Sequence, residues 1–217
     1  MPKLKETIGS TTFDQIKHDI IFGVLEPGTK LKLSPLSARY GASVSTLRET
    51  LNRLASEGFV SAQDQRGFFV APVSKDDLIE IANLRSLLEC TALKESIANG
   101  DTDWEGNLVA AHHKLSLMER RLLEGDESSK EKWKQYDWEF HQASIQACNS
   151  KNLMALHAII FEKYLRYQML VLSYRGAEAV AEHKDIFDAA LARDAETATK
   201  RLNEHIVRGL EHAIAAL

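Results

Sequence analysis

After residue 73 the sequence shows no strand pattern, only apolar residues at helical spacing interrupted by capping and turn residues. That confines the last two-thirds of the chain to helices packed on helices. Ser74-Lys75-Asp76-Asp77 resembles a capping box with Asp in place of Glu, and predicts a helix over 75–99 that Gly100 ends. Its expected inward residues are Leu78, Ile81, Leu84, Leu88 and Leu93. Further helices are expected from Asp101 or Asp103 to about 123, over 131–148, from a Ser150 cap to about 173, over 180–192, and from an Asp194 cap to the end. The best loop signal is Gly125-Asp126-Glu127-Ser128-Ser129, and the pattern breaks again around Arg175-Gly176-Ala177.

The first 73 residues read differently. Thr11 or Thr12 can cap a helix to about Phe22 with Phe13, Ile16, Ile20 and Ile21 inward. Ser34-Pro35 reads as N-cap and first residue of a short helix that Gly41 closes. Ser43 caps a helix to about Ser56 with Leu47, Leu51 and Leu54 inward, ended by Gly58. The period then becomes that of strands, over 59–62 and 68–71, around the polar tip Gln63-Asp64-Gln65-Arg66-Gly67. Two helices joined at a tight glycine turn and followed by a hairpin make a winged helix-turn-helix. The expected fold is therefore mainly α: a winged helix-turn-helix over 1–73 and an all-helical bundle over 74–217.

Charge agrees with that division. Residues 1–73 carry nine Lys and Arg against seven Asp and Glu, whereas the remainder carries 18 against 24 and the whole chain stands at −4. A mildly basic head on an acidic body fits a DNA-binding module joined to something that does not touch DNA. No run of about eighteen apolar residues appears, so no membrane span is expected. Met1-Pro2-Lys3-Leu4-Lys5 has no apolar stretch behind it, so no signal peptide is expected either. Cys90 and Cys148 sit in apolar helical patterns and read as small buried residues of a reducing cytoplasm, without a disulfide.

The segments from Gly23 to Leu31, Leu36 to Gly41 and Leu47 to Val60 together resemble the DNA-binding head of the GntR family of bacterial transcription regulators. The resemblance implies that Arg48 reads guanine in the major groove of a double-stranded operator. It implies that Ser43, Ser45 and Thr46 contact phosphate or base edges, and that Arg66 and Gly67 approach the minor groove. The chemistry allows each role: Arg can pair bidentately with guanine, and a helix N-terminus favours phosphate. A solvated surface is the alternative for these residues. Many relatives carry arginine where this chain has Val44, which removes a contact or replaces it with an apolar one to a thymine methyl.

In the body, Asp137 and His141 share one helix face, and such a pair can hold a divalent metal or simply hydrogen-bond. His183 and His205 follow in two later helices. This arrangement, with the words Glu182-His183 and Asn203-Glu204-His205-Ile206, resembles the C-terminal domain of the FadR branch, called FCD. The resemblance implies a metal held by Asp137, His141, His183 and His205, with Zn, Ni, Fe or Mn all compatible with three imidazoles and a carboxylate. It also implies that Arg85 points into an effector cavity and meets a small carboxylate; an ion pair with Glu89, one turn on, is the alternative. Tyr164, Arg166, Tyr167 and Gln168 are further candidates for the cavity wall. The remaining histidines, His18, His112, His113, His157 and His212, read as surface or packing residues. Within the branch the chain most resembles the carbon-starvation-induced repressor subgroup.

The function expected is a ligand-responsive, homodimeric repressor of a catabolic operon rather than an enzyme. A metal-dependent hydrolase or lyase is the alternative. The His-Glu-x-x-His signature is absent, and Glu139, two residues from Asp137, faces another way.

Overall fold

The computed structural model describes residues 8–171 and 174–217. It forms two compact units: the chain up to Leu78 together with Glu162–Leu172, and Ile79–Phe161 together with Ser173–Leu217. One unit boundary falls inside each of two helices, α4 (Lys75–Asn99) and α7 (Lys151–Val171).

The first unit contains α1 (Ile8–Ile21), β1 (Lys30–Leu31), α2 (Leu33–Tyr40), α3 (Val44–Ser56), β2 (Val60–Gln63) and β3 (Gly67–Val70). Its core joins Ile16 and Ile20 of α1, Leu47, Leu51 and Leu54 of α3, Phe59 and Val70, all fully buried. Leu165 and Met169 of α7 pack against that cluster. Gly41 turns the chain between α2 and α3 at φ 64°, a left-handed conformation costly for any residue with a Cβ. Ser43 accepts from the Thr46 backbone N–H at 3.2 Å and so caps α3 as expected. The Asp19 carboxylate accepts from Arg39 Nη2 at 2.8 Å and from the Tyr40 hydroxyl at 2.6 Å, fastening the end of α2 to α1.

Three expectations for the head need correction. Helix α1 already includes Ile8, so Thr11 and Thr12 lie inside it and do not cap it. The residue before α2 is Lys32, and Ser34 makes no cap; Pro35 falls within the first turn, where its missing N–H has no partner to lose. The sheet has three strands in the order β1-β3-β2, all antiparallel, with Lys30 opposite Phe69 and Val60 opposite Val70. A two-residue strand such as β1 is too short to show a period, and pairing with β3 alone creates it.

The second half of α7 belongs to the first unit. Tyr167 donates its hydroxyl to Asp77 Oδ2 at 2.6 Å and accepts from the Ser74 N–H at 3.1 Å, while Arg166 donates to the Ala71 carbonyl. Both residues hold the segment between β3 and α4. Tyr164 and Gln168 belong to the same unit. The expected end of α7 at about 173 lies outside the described residues.

Among the described residues, six helices follow residue 73: α4, α5 (Thr102–Leu123), α6 (Lys130–Ile145), α7, α8 (Ala177–Leu191) and α9 (Ala195–Ala216). A short 3-10 turn, Glu127–Ser129, occupies the expected loop before α6. Asp101 caps α5 through Trp104 N, and Asp194 caps α9 through Thr197 N. Leu78, Ile81 and Leu93 are buried as expected, but Leu84 is 46% exposed. The inward stripe of α4 runs through Ile81, Ala82, Arg85 and Glu89, so a buried ion pair takes the place the apolar pattern gave to leucine.

Gly100 ends α4 for a packing reason. A Cβ there would lie 2.4 Å from the Trp104 ring and 2.7 Å from the Ser96 carbonyl. Trp104 is itself fixed, donating its indole N–H to the Ala143 carbonyl at 3.0 Å. Gly100→Ala should therefore lower stability by about 1–3 kcal/mol, the usual penalty of overpacking, measured by urea unfolding. An unchanged unfolding midpoint would mean that Trp104 can move aside freely.

Candidate metal centre and nucleic-acid interface

Helices α6, α8 and α9 each bring one histidine to a common point inside the second unit. His141, His183 and His205 are all buried, and one ring nitrogen from each lies within 4.8 Å of the others. Asp137, on the turn of α6 before His141, lies beside two of these histidines. Its Oδ1 lies 3.2 Å from His183 Nε2 and 3.8 Å from His141 Nε2.

Each imidazole is held from behind by a different carboxylate. His183 Nδ1 bonds Glu119 Oε1 at 2.6 Å, His205 Nδ1 bonds Glu182 Oε2 at 2.8 Å, and His141 Nδ1 bonds Glu89 Oε1. A carboxylate can only accept, so each Nδ1 donates to its partner, and the Nε2 atoms of His141 and His183 face Asp137. Carboxylate-backed imidazoles of this kind are the usual setting of metal-binding histidines.

The cations are paired as tightly. Arg85 is 1% exposed and donates Nε to Glu89 Oε2 at 2.8 Å, with Nη2 at 3.3 Å from both ring nitrogens of His141. The ion pair that the sequence left as an alternative is thus formed, and the guanidinium also borders His141. Lys134 Nζ lies 3.6 Å from Asp137 Oδ2. Arg175 donates to both oxygens of Glu182 and lies 3.2 Å from His205 Nδ1.

These contacts set the protonation states. Burial opposes charge on Glu89, but Arg85 and His141 outweigh it and hold its carboxyl well below the usual range. Asp137 is likewise held low, against burial, by Lys134, His183 and His141. Burial lowers the pKa of His141 and, further, that of His205. At His183 burial acts the same way, but Asp137 and Glu119 overcome it and push the value up to about 9.

The residues fit a divalent ion. His183 Nε2 is buried without a hydrogen-bond partner, 3.2 Å from Asp137 Oδ1. The Asp137–histidine separations suit ligands each about 2.1 Å from a shared ion. Mixed imidazole and carboxylate donors accept several first-row metals.

Sequence reasoning missed the outer carboxylates. Glu89 carried one signal, its place four residues after Arg85 on an otherwise apolar face. Glu182 carried only its adjacency to His183. Glu119 looked like any acidic residue near the end of a helix. His157 was read as a surface or packing residue; it is fully buried and bonds Glu89 Oε2 through Nε2 at 3.0 Å. His112 does pack, stacked on Phe187 at 4.0 Å. Glu139 faces outward and pairs with Lys114 and Gln135.

In the head, Val44, Ser45, Arg48 and Glu49 are exposed along the first turns of α3. Ser43 Oγ lies 2.9 Å from both Ser45 Oγ and Thr46 Oγ1, so the three hydroxyls cluster at the helix N-terminus. Arg66 is exposed at the hairpin tip with its guanidinium 5.8 Å from the Phe69 ring. Gly67 follows at φ 92°, which a side chain would resist. Within the unit, the expected DNA-contacting residues thus lie at the N-terminus of α3 and at the tip of the wing.

Comparison with known proteins identifies both halves. The FCD domain pattern matches residues 80–208, and the pattern of bacterial regulatory proteins of the gntR family matches residues 9–70. The chain is 39% identical over 197 residues to the uncharacterized HTH-type transcriptional regulator BphR of Paraburkholderia xenovorans (strain LB400), covering 90% of this chain and 80% of that one. It is 31% identical over 198 residues to the HTH-type transcriptional repressor GlaR of Escherichia coli (strain K12), covering 88% and 89%. Among solved structures, E. coli McbR/YncC shares the fold with a TM-score of 0.79 over 97% of this chain and 98% of that one, at 21% identity. The relatives are regulators, and the hydrolase or lyase alternative is not favoured. The chain therefore belongs to the gntR family of bacterial regulatory proteins, as a DNA-binding transcription regulator carrying an FCD domain.

Proposed function

We propose that the protein is a cytoplasmic, homodimeric repressor of a catabolic operon that senses a small carboxylate through a metal-bearing helical unit. The observation that carries this reading is the convergence of His141, His183 and His205, each fixed at Nδ1 by its own carboxylate. Asp137 and the three Nε2 atoms would hold the ion, which supplies a Lewis-acid attachment for an anionic ligand. Lys134 and Arg85, beside Asp137 and His141, add positive charge for the same anion. The finer kinship to the carbon-starvation-induced repressor subgroup is part of the proposal. A relative named as a repressor, 31% identical, supports the sign of the regulation.

In the head, Arg48 reads guanine, while Ser45 and Thr46 meet phosphate or base edges. Ser43 serves mainly as the cap that exposes them. Arg66 and Gly67 approach the minor groove. Exposed Leu84 and Leu87 on α4 and Val207 on α9 support a paired state, since they give the second unit an apolar face. Two copies would present two recognition helices to a pseudopalindromic operator about 34 Å between half-site centres. The effector controls binding only insofar as it favours one arrangement of the pair over another.

His183→Ala should abolish stoichiometric metal in the purified protein, measured by elemental analysis. Glu119→Gln should weaken metal binding roughly 10–100-fold by loosening the same imidazole. Unchanged metal affinity in both variants would remove the site from the account. Arg48→Ala should cost about 1–3 kcal/mol of discrimination at one operator position, read by competition binding against point-mutated operators. Full retention of specificity would exclude Arg48 from base readout.

A further inference from the structure

We infer that Val44 determines operator specificity by packing on a thymine 5-methyl group in the major groove, so that the operator carries an A·T pair within two base pairs of the guanine read by Arg48. This inference rests on the reading of Arg48 above and adds a second base of the half-site.

Helix α3 has two faces. Leu47, Thr50, Leu51 and Leu54 are buried, while Val44, Ser45, Arg48, Glu49 and Asn52 are exposed. Among the described residues of the first unit, only Val24 and Val44 leave a large apolar side chain exposed, at 51% and 47%. Val24 lies in the turn after α1. Val44 opens α3 between Ser43 and Ser45, whose hydroxyl oxygens lie 2.9 Å apart. Arg48 stands one turn on from Val44, on the same face. Among the described residues Arg48 makes no hydrogen bond or ion pair. Other arginines of the head are committed: Arg39 to Asp19 at 2.8 Å, and Arg53 over the Phe13 ring at 4.2 Å. The exposed face of α3 thus presents an uncommitted guanidinium and, one turn before it, a bare apolar side chain.

The chemistry of valine selects the base. Its side chain has no donor or acceptor, so it cannot pair with the heteroatoms of a base edge. Set against guanine O6 or N7, adenine N6 or cytosine N4, it would strip water from a polar group and return no hydrogen bond. A phosphate oxygen is excluded for the same reason. The thymine 5-methyl is the apolar group that the major groove presents. Val44 is also β-branched and helical, so its χ1 is already restricted and little freedom is lost on contact. Four residues at a rise of about 1.5 Å put Val44 about 6 Å from Arg48 along the helix, less than two base-pair steps of about 3.4 Å. That spacing places the thymine within two base pairs of the guanine.

The test uses the full-length protein and the duplexes it selects from a random-sequence pool. In a selected duplex each thymine is replaced singly by deoxyuridine, which removes only the 5-methyl group, and each guanine by 7-deazaguanine, which removes N7. The guanine of Arg48 is the one whose 7-deaza effect disappears in Arg48→Ala. Within two base pairs of it, one change of thymine to deoxyuridine should weaken binding roughly threefold to fivefold, the worth of one buried methyl group. Val44→Ala should weaken binding to the thymine duplex by a similar factor and become indifferent to deoxyuridine at that position. Its salt dependence should match that of the parent, because no phosphate contact is lost. Alanine suits an exposed helical position, and an unchanged melting temperature confirms that the head is folded. If no such thymine exists, or if Val44→Ala feels deoxyuridine as strongly as the parent does, the inference fails while guanine reading by Arg48 stands. If Arg48→Ala abolishes no guanine effect, the reading of Arg48 fails and the inference with it.

Discussion

Glu89, Glu119 and Glu182 each grip the Nδ1 edge of a different histidine, and the organisation of the helical unit follows from those three contacts. A charge buried inside a bundle is tolerated only when it is paired and hydrogen-bonded. Arg85 and His157 complete Glu89, and Arg175 and Arg208 complete Glu182. Glu119 alone keeps an oxygen unpaired, next to the one histidine with a free Nε2. The network therefore fixes each ring at Nδ1 and brings one nitrogen of each ring to a shared point. Such a cluster is a poor way to gain stability, since apolar residues of similar volume would serve at least as well. Its presence at the centre of an otherwise apolar bundle is better explained by binding.

The sequence was legible wherever periodicity and punctuation carried the information. Gly41 at its left-handed turn, the Ser43 cap, the Asp101 and Asp194 caps and the strand alternation after Gly58 gave the head and most of the six later helices. Asp137 and His141 were legible because a four-residue spacing puts two side chains on one helix face. What sequence could not reach depends on distance in space. Glu119 comes to His183 from a helix 64 residues earlier, and no local pattern marks it. Strand β1 exists only through β3. Leu84 misled because an apolar pattern gives no warning that Arg85 and Glu89 turn inward beside it.

Helix α7 shows how a single element can be misjudged as a whole. Its first half contributes His157 to the Glu89 network. Its second half contributes Leu165 and Met169 to the core of the first unit, and Arg166 and Tyr167 to the segment before α4. A uniform helical period runs through both halves, so the change of surroundings leaves no trace in the pattern. The same holds for α4, whose first turn belongs to one unit and whose body belongs to the other.

The central claim is that three imidazoles and one carboxylate hold a divalent ion. X-ray absorption at the metal edge of protein loaded with Zn, Ni, Fe or Mn tests it most directly. The account predicts a first coordination sphere of N and O donors near 2.0–2.2 Å, with the multiple-scattering signature of three imidazoles. Sulfur neighbours, or one imidazole or none, would contradict it.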